Sequence, residues 1–216
     1  MVLATRDTTP KQRAILDGAL VVFARDGYAR ASIDAIAETA DVSTRTIYNH
    51  FGDKAGLFAA VVEASAFAVS TAHIEELDAI LGVVDSPEAL QPALVACGLA
   101  LHTIVPPEAA HWGLLRHVHA DADHIPTDVI DTWRRLGPTR TKRQLALHLG
   151  NLARRGLLHL KDPDVAAVHF SALTGSAPGS ALEPHPTPDR QAELMNTAVN
   201  AFLHGYAPSD PAHPAH

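Results

Sequence analysis

Apolar residues along this chain recur at intervals of three and four, and nowhere alternate at intervals of two, so the pattern predicts helices throughout and no strands. Pro10 suits the first turn of a helix that carries Ile15, Ala19, Val22 and Phe23 on one side, and Gly27 is placed to stop it. Ser32 is an N-cap for a short helix with Ile33, Ile36, Ala37 and Ala40 in a stripe. After Asp41-Val42, Ser43 or Thr44 caps a third helix that turns Ile47 and Phe51 inward. Asp53 then caps a long helix from Lys54, whose Phe58, Val61, Val62, Ser65, Val69 and Ala72 share a face. Further helices open at Pro87, after Pro106-Pro107 and at Pro126, and Gly137-Pro138 breaks the last of these. A run with Leu145, Leu149 and Leu152 ends at Gly156, Asp162-Pro163-Asp164 starts another helix, and a last one spans 189–204. The expected fold is all-α: an N-terminal three-helix domain with a helix-turn-helix over 1–53, a larger helical domain over 54–207, and a disordered tail over 208–216.

Composition narrows the class. Hydrophobic residues at 47% and charged residues at 19% fit a packed globular chain, and the dominance of Ala and Leu fits helices. A single cysteine, Cys97, leaves no intramolecular disulfide or zinc ribbon and fits a reducing compartment. The N-terminus lacks the apolar core of a secretion signal, and no apolar run approaches the roughly 18 residues needed to span a bilayer. A cytoplasmic protein with no membrane partner is expected. No Gly-x-Ser-x-Gly or glycine-rich phosphate loop is present, and adjacent carboxylates such as Glu75-Glu76 diverge on a helix, so no catalytic residues and no cofactor are expected.

The net charge of −7 speaks against nucleic acid until its distribution is considered. Residues 1–63 hold 7 basic and 8 acidic side chains, so the acidity lies mostly in the remainder. Seven cations between Arg134 and Arg155, with no acid among them, read as a solvated helix face.

The chemistry sits in Ser32–Lys54. A helix of about eight residues is about 12 Å long, comparable with the major groove, and a helix-turn-helix puts its second helix there. Thr44, Arg45 and Thr46 stand at the N-terminal end of that helix, where side chains reach base edges, and Arg45 suits a bidentate contact to guanine. Tyr48, Asn49 and His50 stand at the far end, where phosphates are nearer, and Lys54 could neutralise another. With Ser32 and Ser43 these form the expected DNA-binding set. Periodicity alone fits equally well a three-helix cap whose polar residues only face water.

Residues 10–63 resemble the DNA-binding domain of the TetR family of bacterial transcriptional regulators. The likeness rests on Ile15-Leu16, Ala19, Phe23, Gly27-Tyr28, Ser32-Ile33, Ile36-Ala37, Ala40, Val42-Ser43, Thr46 to Phe51, Asp53-Lys54 and Leu57-Phe58. Asp41 departs from the family's frequent Gly, and Arg45 stands where the family often has a small residue. A fainter likeness to a subgroup rests on Trp112 to Arg116, the Gly137-Pro138 break and Phe202 to Tyr206. The resemblance implies a homodimer, a double-stranded DNA operator with two-fold symmetry, and a C-terminal domain that takes a small effector.

For that effector the expected lining is Leu101, Trp112, Leu115, His119, Trp133 and Phe170, an apolar set with few polar groups. The homodimer is expected through the last two helices, with Ala166, Ala167, Phe170, Leu173 and Thr174 on one and Leu194, Ala198, Ala201 and Phe202 on the other; burial within the monomer is the alternative. Among fourteen histidines, His117, Asp121 and His124 would share a face if their helix ran so far, which leaves a metal-sensing regulator open beside a structural helical adaptor. No metal ligand is assigned.

Overall fold

The computed structural model describes residues 8–102, 109–120, 125–175 and 186–206, with the His119 side chain left aside. The described residues are helical with no strand, in the order α1 (Pro10–Arg30), α2 (Ile33–Thr39), α3 (Thr44–Phe51), α4 (Lys54–Leu81), α5 (Pro87–His102), α6 (Ala109–Ala120), α7 (Thr127–Leu136), α8 (Pro138–Arg154), α9 (Pro163–Thr174) and α10 (Pro188–Tyr206). The expected tail at 208–216 lies outside the described residues.

Local signals set the helix ends. Thr9 and Gln12 form a reciprocal capping box ahead of Pro10, so two backbone N–H groups that the first turn leaves free are satisfied. The Asp162 carboxylate accepts from the backbone N–H of Asp164 and Val165 to start α9. Gly137 separates α7 from α8, and Gly156 follows α8 with φ of 77°. At Gly27 the outcome differs from the expected stop. The residue takes φ 75° and ψ 171°, a region almost closed to side-chain-bearing residues, yet α1 resumes to Arg30 because Ala31 N–H donates back to Gly27 O.

The chain forms two compact units, which the 53/54 boundary drawn from sequence does not follow. The first comprises 1–71 and 104–139, so α6 and α7 rejoin the helix-turn-helix segment; the second comprises 72–103 and 140–216. In the first, Ile15, Val22, Phe23, Ile36, Ile47, Leu57 and Val61 are fully buried, and Val42 and Phe51 pack against them. The Phe23, Tyr28 and Phe58 rings meet with centroids 4.8–6.3 Å apart. These three helices thus close a core with the start of α4 and with Leu114 and Val118 of α6, which supplies the apolar area a three-helix unit lacks alone.

The second unit has its own core of Leu77, Leu94, Cys97, Leu145, Leu149, Phe170, Val199 and Phe202. Ala166, Ala167, Phe170, Thr174 and Phe202, expected at a dimer face, are turned into this core. The outward side of α9 instead shows Val165, Val168 and Leu173, the first two about half exposed. Both faces of α9 are apolar, so periodicity could not choose between them.

α4 corrects one expectation. An 18-residue window of this helix has mean hydropathy 1.6, apolar enough to cross a membrane by length and composition. Half of that window is buried inside the protein, as befits a core helix.

Candidate nucleic-acid interface

The turn between α2 and α3 is built on Asp41, the one described non-glycine residue with positive φ, at 52°. Asp tolerates this left-handed conformation, which explains how the turn closes without the family's frequent Gly. Val42 N–H donates to Ala37 O across it, and α3 begins at once. Ser32 Oγ accepts from Ala35 N–H at 3.1 Å, and Ser43 Oγ accepts from Thr46 N–H at 3.2 Å. Both serines are therefore structural caps first; Ser32 keeps its hydroxyl proton for another acceptor, while Ser43 and Thr46 share one hydroxyl hydrogen bond of 2.9 Å in which either can donate.

On α3, Ile47 alone is fully buried and holds the helix to the core. Around it Arg45, Tyr48, Asn49 and His50 are exposed, and Thr44 and Thr46 are partly so. The expected base-reading set thus lies on the outward side of one short, anchored helix. Gly52 ends α3 at φ 79°, and its N–H returns to Tyr48 O. Asp53 Oδ1 then accepts Gly56 N–H at 2.7 Å at the start of α4.

Lys54 is placed differently from a free phosphate contact. Its ammonium donates to Ala29 O at 3.2 Å and stands 4.8 Å from the centre of the Tyr28 ring. The first turn of α4 is thereby tied to the α1 segment beyond the Gly27 break, and two ammonium protons remain for other acceptors.

α6 packs along the same helix. Gly113 lets Ala24 approach, a β-carbon there standing 3.1 Å from the Ala24 methyl. The His117 ring lies against Gly27. α6 also meets α4 through a 2.6 Å hydrogen bond between buried Ser65 Oγ and His111 Nδ1. α7 is fixed to α4 by Ser70 Oγ, which donates to Leu136 O at 2.7 Å.

The expected effector lining divides between the units. Leu115 is buried, and Trp133 packs against the first unit's core. Trp112 is half-buried on α6, edge-on to His111 at 5.3 Å, and its indole Nε1 is buried with no hydrogen-bond partner among the described residues. Phe170 is a core residue of the second unit, edge-on to Phe202 at 5.3 Å, and Leu101 packs against that core. Of the metal triad, His117 is the residue against Gly27, while Asp121 and His124 lie outside the described residues.

Comparison with known proteins bears on both halves. The profile described as "Bacterial regulatory proteins, tetR family" matches residues 15–61. That of the "AefR-like transcriptional repressor, C-terminal domain" matches residues 92–208, more than half of the 216-residue chain. The chain belongs to the TetR family. Among curated relatives, this TetR-family chain is 35% identical over 83 residues to the HTH-type transcriptional repressor SCO4008 of Streptomyces coelicolor, covering 38% of the chain and 43% of the relative. It is 32% identical over 89 residues to the HTH-type transcriptional repressor AcnR of Corynebacterium glutamicum, covering 40% and 47%. The matches therefore span less than half the length of these relatives. A solved TetR-family regulator from Mesorhizobium loti aligns over 95% of this chain and all of its own, at 27% identity and a TM-score of 0.78. The Flavonoid-responsive Regulator FrrA aligns over 93% and 98%, at 25% identity and 0.65.

Sequence reasoning missed the Lys54–Ala29 tie and the seat of α6 on α1. Gly27 and Gly113 were the available signals, since glycine also marks a close approach.

Proposed function

We propose that this TetR-family protein is a ligand-responsive transcriptional repressor, which binds a two-fold symmetric operator as a homodimer and releases it when a small, largely apolar effector binds. The observation that carries the reading is the outward face of α3, where Arg45, Tyr48, Asn49 and His50 are exposed around a buried Ile47. Arg45 and Thr44 serve as base readers, with Tyr48, Asn49, His50 and the hydroxyls of Ser32, Ser43 and Thr46 on phosphates. Lys54 positions α4 through Ala29 and gives its remaining protons to a phosphate. The likeness to proteins named as repressors supports the sign of the regulation and a role without catalysis.

The effector is placed in the first unit, beside Trp112, Leu115 and Trp133. A ligand that shifts α6 there would press on α1 at Ala24 and Gly27 and on α4 at Ser65. It can release DNA only by its differential affinity for two arrangements of these helices, and a 100-fold release needs about 2.8 kcal/mol. The name of the flavonoid-responsive relative supports a small-molecule effector. The dimer is placed on the outward side of α9 and α10, at Val165, Val168 and Leu173 with the exposed Ala201.

Fluorescence anisotropy with duplexes from the protein's own upstream region tests the reading. A repressor binds one duplex as a dimer, prefers it over shuffled sequence, and loses affinity steeply as salt rises. A helical adaptor shows no sequence preference, and that result would end the proposal.

A further inference from the structure

The acid-free run of cations between Arg134 and Arg155 lies outside the α3 face proposed to read DNA, and the structure shows where its end lies. In the second unit, the C-terminal turn of α8 and the C-terminal end of α4 enclose a cleft of about 290 Å³. Gly82 and the almost fully buried Leu81 and Leu152 lie along it, and its polar rim is half-buried His148 with the exposed Asn151, Arg154 and Arg155.

Two features separate this rim from an ordinary solvated face. Neither Arg154 nor Arg155 has a carboxylate partner among the described residues, in a chain whose net charge is −7. The Arg154 guanidinium is also engaged: its Nη2 donates to Asn151 Oδ1. His148 is fixed as well, through a 2.7 Å contact of Nε2 with Asp78 Oδ1, which also accepts from Gln144 Nε2 at 2.6 Å. Both neighbours hold the Asp78 carboxyl below its ordinary value, the His148 hydrogen bond most of all, so the acid behind His148 is already engaged. Compensation of the α8 helix dipole accounts for a cation in the last turn. It does not account for two adjacent guanidiniums without a carboxylate at the rim of one cleft.

We infer that this cleft is a binding site for a small organic oxyanion, with its carboxylate or phosphate on Arg154 and Arg155. Guanidinium forks match both oxyanions in geometry, and the volume suits a ligand smaller than a drug-sized molecule. The site lies wholly in the second unit, whereas Trp112 belongs to the first, so it stands or falls separately from the proposed effector site.

Thermal unfolding of the full chain with sodium butyrate, butyramide or inorganic phosphate, at ionic strength held constant with sodium chloride, provides the test. Butyrate, phosphate or both raise Tm saturably while butyramide does not; butyrate alone identifies a carboxylate ligand, phosphate alone a phosphate ligand. In an Arg154→Gln/Arg155→Gln variant the half-saturating concentration rises at least tenfold, while DNA affinity measured without these anions stays within twofold of the parent. No saturable shift beyond chloride, or the same shift in the variant, would overturn the inference.

Discussion

His117 occupies the space that a side chain at Gly27 would need: a β-carbon on Gly27 would stand 3.0 Å from His117 Nδ1. At φ 75° and ψ 171° that glycine is already in backbone territory nearly closed to other residues. Two constraints therefore meet where α6 touches α1. Gly27→Ala should lose about 1–3 kcal/mol from the backbone strain, and more from the contact. Adding His117→Ala should return the contact share and leave the strain. Urea unfolding of the single and double variants measures both; equal stability of parent and Gly27→Ala would refute the conformation.

Trp112 allows a test of the opposite kind. Its Nε1 is buried without a partner among the described residues, so Trp112→Phe removes an unpaired donor while keeping a ring. Relief of about 1–3 kcal/mol of desolvation offsets the lost ring area, so the variant should unfold within about 1 kcal/mol of the parent. A loss well beyond that would mean the indole N–H is bonded in solution.

His102 sets a pH dependence. Thr174 gives its hydroxyl proton to Phe170 O, so His102 Nε2 donates to Thr174 Oγ1 at 2.9 Å. Burial, with His73 adding to it, lowers the imidazole pKa below its ordinary value. The unfolded chain then takes up this proton at a higher pH than the folded one, and stability falls as pH drops through about 6.5. Urea midpoints from pH 8 to pH 5 should show this fall, and His102→Gln should flatten it. An unchanged slope in that variant would place the titration elsewhere.

Cys97 offers a chemical readout of the second core. Burial, with Glu76 adding to it, pushes its thiol up to about 12, so almost no thiolate exists near neutrality. A disulfide reagent should label native protein very slowly and denatured protein at once. Rapid labelling of the native chain at pH 8 would show that this core opens readily.

The parts of the fold legible in the sequence are those fixed by neighbours in the chain. Ser32, Ser43, Asp53 and Asp162 satisfy backbone groups two or three residues away, so these four helix starts carried their own signal. The return of α6 and α7 to the first unit was not legible, because Gly113 against Ala24 and His117 against Gly27 are distant pairings with no local trace. Lys54 was legible as a cation at the reader's edge, but not as a donor to Ala29 O, 25 positions earlier. The inward face of α9 was misjudged because Val165 and Val168 are as apolar as Ala166 and Phe170.

The central claim, that the exposed face of α3 reads DNA, is tested most directly by comparing Arg45→Ala with the parent on an upstream-region duplex and on a shuffled one. Arg45 is exposed on α3 with no carboxylate partner among the described residues, so its removal should leave the fold intact. The account predicts a loss of about 1–3 kcal/mol on the specific duplex and much less on the shuffled one, which collapses the preference. An unchanged ratio between the two duplexes would contradict it.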